Sequence, residues 1–148
     1  MSRFSERVEG DLRAAGWLPG RSVDVEHWRR RLTADGLLEM HSAAAEFLAE
    51  FGGLSLDIDG QGITMARTPV SFDPMRGDGE EERFADWGQE VGLSLFPIGS
   101  LESERFCLGM SETGEIFLVE AWLASFGVGD AALENLIRGV APVKVDAE

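Results

Sequence analysis

Apolar positions fall at helical spacing through the first third of the chain. Phe4, Val8, Leu12 and Ala15 form one stripe over Ser2 to Ala15, and Gly16 stops it. Pro19-Gly20 in the next segment marks a turn. Asp24 is placed to cap a second helix carrying Val25, Trp28 and Leu32, with Gly36 at its end. Ser42 is placed to cap a third, in which Ala44, Phe47, Leu48 and Phe51 share a face and Gly52-Gly53 ends the run.

The period then changes from 3.6 to 2. Leu54, Leu56 and Ile58 alternate with Ser55, Asp57 and Asp59, which predicts a half-buried strand. Gly60-Gln61-Gly62 predicts a tight turn into a second strand over Ile63 to Thr68, followed by a loop from Asp73 to Gly79. Glu80, Glu81 and Glu82 open a fourth helix with Phe84, Trp87 and Val91 on its buried stripe, since negative charge suits a helix N-terminus. Leu93 to Ile98 reads as a third strand, with Pro97 pointing to an edge or an end. Phe106, Leu108 and Met110 alternate in a fourth, and Ser111 to Gly114 turns the chain into a fifth over Glu115 to Trp122. Asp130 is placed to cap a last helix with Leu133, Leu136 and Ile137, ended by Gly139.

Short connections between neighbouring strands predict antiparallel pairing. The expected fold class is therefore α+β, in one domain over residues 1–139. It has a largely antiparallel twisted sheet of about five strands, N-terminal helices, one inserted helix and a C-terminal helix, with the helices on one face of the sheet. Residues 140–148 are expected to form a C-terminal tail.

Composition changes this picture chiefly through charge. Lys and Arg total 13 against 27 Asp and Glu, for a net charge of −14. Residues 1–40 hold seven of each sign, so the whole excess lies in residues 41–148. A domain of that sign repels nucleic acid and anionic membrane and attracts basic proteins. Cys107 is the single cysteine, so no intrachain disulfide forms. The opening MSRFSERVEGDLR has no apolar stretch of the secretory kind, and no run of 18 apolar residues occurs. These features predict a cytoplasmic protein.

Catalytic patterns are sparse. His27 reads as a solvated helix residue and Cys107 as a buried thiol between Phe106 and Leu108. Asp57-Ile58-Asp59-Gly60-Gln61-Gly62 resembles the opening of a calcium loop, but Thr68 stands where a bidentate Glu belongs, so a hairpin turn is the preferred reading. No close pair of His or Cys zinc ligands and no phosphate-binding Gly-rich loop is present. The four tryptophans, Trp17, Trp28, Trp87 and Trp122, are expected mostly in the core. No cofactor, metal or enzyme activity is expected.

A set of strings in fixed order is more specific. Ala15-Gly16-Trp17-Leu18-Pro19-Gly20-Arg21 is followed by Val23-Asp24-Val25 and Trp28. Phe47-Leu48-Ala49-Glu50-Phe51-Gly52-Gly53-Leu54 and Phe72-Asp73-Pro74 come next. Gly92-Leu93, Leu95-Phe96-Pro97-Ile98-Gly99 and Asp130-Ala131-Ala132-Leu133 complete the set. Together they resemble the third group of the SUKH superfamily, the immunity proteins of bacterial polymorphic toxin systems, over about Ala15 to Gly139.

The resemblance implies a non-catalytic domain that binds and neutralises a cognate toxin, often a nuclease or nucleic-acid deaminase and therefore basic where it holds substrate. The alternative is a general interaction or scaffold module in the bacterial cytoplasm. The family offers no catalytic residues to carry over, so charge and exposure choose the candidate partner-binding residues. These are Asp57 and Asp59 by the first expected hairpin, Glu80, Glu81, Glu82 and Asp86 on the fourth helix and its approach, and Glu102 and Glu104 before Phe106.

Overall fold

The computed structural model describes residues 3–146. The chain opens with three helices, α1 (Glu6–Ala14), α2 (Glu26–Leu32) and α3 (Ser42–Phe51). Two short strands follow, β1 (Ser55–Leu56) and β2 (Val70–Ser71), then a 3-10 helix (Pro74–Gly77) and α4 (Glu81–Val91). The rest is β3 (Phe96–Leu101), β4 (Phe106–Met110), β5 (Glu115–Val119), β6 (Leu123–Val128), α5 (Gly129–Arg138) and β7 (Val143–Lys144). The strands pair in sequence order, β1 to β7, and every neighbour is antiparallel. The fold is a single α+β unit with seven strands where the sequence predicts about five.

Helices cover both faces of this sheet, not one. Along β4, Gly109 and Met110 point to opposite sides. Met110 lines a cleft with Phe47 and Phe51 of α3 and Leu133 of α5. A Cβ on Gly109 would stand 2.7 Å from the Phe84 ring of α4, so only glycine lets that ring lie against the strand. Double coverage explains why every residue of β3, and all of β4 and β5 but the first, is buried. Aromatic rings tie the helical side of the core together. Phe47 meets Phe72 edge-on at 5.2 Å, and Phe51 lies near Phe4, Trp17 and Phe72.

The helix ends follow capping chemistry, with small shifts from the expected positions. Ser5 Oγ accepts from Val8 N and starts α1. His41, not Ser42, caps α3: its Nδ1 accepts from Ala44 N at 3.1 Å and its Nε2 lies 3.0 Å from the Met110 carbonyl. With Nδ1 accepting, the proton sits on Nε2, which donates to that carbonyl. Asp24 accepts from Glu26 N, but Val25 holds the cap position of α2. The cap of α5 is Val128, with Asp130 inside its first turn. Gly92 and Gly139 end α4 and α5 in the left-handed conformation, as their positions in the sequence predict.

Three stretches depart further from expectation. The hairpin expected over residues 54–68 does not form. β1 is two residues long and pairs with Val70–Ser71, and the loop between them holds one bridge, Gln61 to Ala66. Its backbone donors are used elsewhere: Thr64 N and Met65 N both donate to the Gly139 carbonyl, and Ile63 N to that of Arg138. The carbonyls at the end of α5 would otherwise lack partners, so this loop caps a helix instead of extending a sheet. Buried Arg67 fixes the arrangement by pairing with Asp11 and donating to the Ile137 carbonyl.

The strand expected over Glu115 to Trp122 stops at Val119, and Leu123–Val128 forms the unpredicted β6. Finally, residues expected as a loose tail supply β7, which pairs with β6 at Ala124 and Ser125. Pro97 sits inside β3 next to a register shift, where β2 has already ended and the 3-10 helix packs on the proline through Gly77.

Candidate binding surface

An antiparallel meander sends alternate connections to opposite ends of the sheet. The pairings Leu56 with Val70, Val70 with Leu101, Leu101 with Phe106 and Val119 with Leu123 place three connections at one end. They are the β1–β2 loop, the β3–β4 turn and the β5–β6 turn. The start of α4 joins them, because Arg83 Nη1 lies 3.3 Å from Glu80 and 3.4 Å from Glu120 in the β5–β6 turn. The candidate carboxylates, scattered from Asp57 to Glu104 in sequence, are thus carried by elements that meet at this end.

Two concave regions lie there. The larger, about 610 Å³, runs between α4 and the β5–β6 turn and is lined by Glu80, Glu82, Asp86, Glu90 and Glu120, with Arg83 the one cation and Trp87 a half-buried wall. The smaller, about 280 Å³, brings Asp57 of the β1–β2 loop against Glu104 of the β3–β4 turn. Glu81 is directed elsewhere, its Oε1 accepting from Gly79 N at 2.8 Å ahead of the helix. Asp59 and Glu102 line neither region; Asp59 is exposed, and Glu102 donates its backbone N–H to the Pro69 carbonyl.

The β3–β4 turn is held in an unusual backbone form. Glu102, Ser103 and Glu104 all have positive φ, at 60°, 54° and 71°. Side chains with a Cβ adopt that region at a cost of roughly 1–2 kcal/mol each. Arg76 of the 3-10 helix steadies the turn by donating from Nε to the Glu104 carbonyl at 2.6 Å. The turn thereby gains a link to the segment that leads into α4.

Glu120 and Trp122 are not among the binding residues that charge and exposure select from the sequence. Glu120 Oε2 accepts from Cys107 N at 2.8 Å, and the Glu120 carbonyl accepts from Trp87 Nε1 at 2.8 Å, so this residue joins α4 to the sheet. Glu120 N donates to the Trp122 carbonyl and closes the turn. Trp122 is 42% exposed, with its ring edge-on to Phe106 at 6.1 Å. Trp122 thus leaves apolar surface open to solvent in the β5–β6 turn. The missed signal is the string Glu120-Ala121-Trp122, in which a strand pattern gives way to a turn just before its last aromatic residue.

The single cysteine is shielded from solvent. Cys107 is 1% exposed, and burial pushes its thiol up to about 11. His27 is exposed on α2, and both ring nitrogens of His41 are engaged in the α3 cap. Among the described residues, no group of three or more His, Cys, Asp and Glu side chains is arranged to hold a metal ion. No described helix is long and apolar enough to cross a membrane.

Comparison with known proteins gives one decisive result: a model of the SUKH-3 immunity protein family matches residues 4–139. The chain belongs to that family. No curated protein and no solved structure gave a match. The matched span of this SUKH-3 protein contains every candidate carboxylate, the β5–β6 turn and all five helices, and it ends at Gly139, the residue that closes α5. Family membership carries an immunity function.

Proposed function

We propose that this SUKH-3 protein binds a basic cognate toxin domain in the cytoplasm and blocks it without catalysis, using the acidic end of the sheet as its docking face. The observation that supports this reading most is that Glu80, Glu82 and Asp86 line one concavity and Asp57 and Glu104 another at the same end of the sheet, with Trp122 exposed in the β5–β6 turn. Field and anchor have separate tasks. Like-signed carboxylates on a concave face steer a positively charged partner and favour one orientation. Trp122 then buries apolar surface at the contact and slows dissociation.

Toxins that act on nucleic acid carry basic substrate channels, and an acidic surface competes directly with the phosphate backbone for them. Asp59, Glu81 and Glu102 belong to the rim on this reading, where each charge contributes to steering and little to affinity. Co-expression with the toxin encoded next to this gene tests the proposal. A folded toxin that neither co-purifies with this folded protein nor loses toxicity beside it refutes the assignment.

A further inference from the structure

The opposite end of the sheet carries a second acidic cleft, of about 430 Å³, between α3 and the start of α5. Its floor is apolar, made by Phe47, Phe51, Met110 and Leu133. Its rim holds Glu46 and Glu50 of α3, Glu112 of the β4–β5 turn and Asp130 of α5. One cation already lies in it. Arg3 reaches from the N-terminal segment, with Nη1 at 2.6 Å from Glu50 and Nη2 at 2.9 Å from Asp130. Its guanidinium sits 5.0 Å from the Phe4 ring centroid and 5.9 Å from that of Phe51. The chain thus shows how a guanidinium seats here: a two-carboxylate grip with an aromatic face beside it.

Arg3 uses half of the rim. Glu46 makes no ion pair among the described residues, and Glu112 accepts from the backbone N–H of Ser94 at 2.9 Å, with its own N–H and His41 also favouring its charged form. Four carboxylates against one guanidinium leave the cleft strongly negative over an apolar floor. That combination suits the methylene stem and planar head of an arginine better than the compact head of a lysine. We infer that this cleft is a docking site for an arginine-bearing, extended segment of a protein partner, whose guanidinium pairs with Glu46 and Glu112 at the mouth of the cleft, above the buried Met110 and Leu133 side chains. The inference rests on the reading of this chain as a binder of basic protein, but the surface is distinct from the acidic end and requires no toxin for its test.

A capped Arg-Gly-Arg peptide is the probe, titrated into the full chain with methyl NMR as the readout. The Met110 and Leu133 methyl signals are expected to shift saturably, and a peptide with citrulline in place of both arginines to leave them in place. The double variant E46Q/E112Q, which keeps a side-chain oxygen at position 112 to accept from Ser94 N, is expected to weaken binding about five-fold. Arg3→Ala is expected to tighten it by freeing Glu50 and Asp130. Shifts confined to α4 and the β5–β6 turn would overturn the inference. So would equal binding of the citrulline peptide, or unchanged affinity in a folded E46Q/E112Q protein. Those results would leave the toxin-binding proposal standing, and a toxin that ignores this protein would leave the peptide result unchanged.

Discussion

Replacing Glu120 separates its structural role from its charge. Its Oε2 accepts from Cys107 N at 2.8 Å, and Cys107 is 1% exposed. Alanine would leave that N–H without its acceptor at a buried strand position, which costs about 1–3 kcal/mol. The same change removes the Arg83 pair at 3.4 Å, but Arg83 is 36% exposed and the pair is worth at most about 1 kcal/mol after solvent screening. Glu120→Ala is therefore expected to lose about 2–3 kcal/mol, equivalent to a fall in Tm of roughly 4–12 °C at this chain length. Glu120→Gln keeps an oxygen acceptor for Cys107 N and eases repulsion from Glu80, so it should stay within about 1 kcal/mol of the parent. Urea unfolding followed by tryptophan fluorescence measures both. An unchanged midpoint for Glu120→Ala, or an equal loss for both variants, would refute the claim that this side chain pins the β5–β6 turn to β4.

Other expectations follow from the same structure. Ser103→Gly should stabilise by about 0.5–1 kcal/mol in urea unfolding, because it relieves a side chain held at φ 54°, while Ser103→Val should destabilise by about 1–2 kcal/mol. Gly109→Ala drives a methyl to 2.7 Å from the Phe84 ring and should cost about 1–3 kcal/mol in thermal unfolding while displacing α4 from the sheet. The Cys107 thiol is raised in the folded state, so the unfolded chain releases its proton first as pH rises. Its contribution to stability should be constant below about pH 8 and decline through pH 9–11, and Cys107→Ala should flatten that decline in pH-dependent denaturation. Trp122→Ala should cost about 1–2 kcal/mol in unfolding, since the ring is 42% exposed and edge-on to Phe106, and leave the protein folded, yet raise the dissociation rate from the toxin by about 30-fold or more in surface plasmon resonance.

Periodicity made most of the fold legible. The stripes of α1, α3, α4 and α5 and the alternation of β4 stand in the sequence because helix and strand impose different repeats on a buried face. What escaped was decided by tertiary partners. The segment Ile63 to Met65 looks like a strand, but the open carbonyls at the end of α5 claim its N–H groups. The strand β6 is hard to see because Ser125 and Gly127 interrupt its pattern and because its other neighbour, β7, is two residues long. Pro97 signals an edge, and the local truth of that signal is the early end of β2.

For the surface, acidity was legible as a count and convergence was not. Asp57 and Glu104 meet across a cleft only because the meander returns both connections to one end, and no spacing in the chain records it. Glu81 illustrates the reverse, a carboxylate chosen for its charge whose oxygen serves the backbone of Gly79. The acidic rim of the α3–α5 cleft also escaped, because Arg3, Glu50 and Asp130 are joined by folding and not by sequence.

The central claim is that charge at one end of the sheet guides a basic toxin onto this protein. Its most direct test is the association rate of the cognate toxin with the parent and with E82K/D86K/E104K, by stopped-flow fluorescence at low and high salt. The parent rate should fall steeply as salt rises, and the folded variant should associate at least about ten-fold more slowly at low salt with a flatter salt dependence. Equal rates and equal salt slopes for the two proteins would contradict the account.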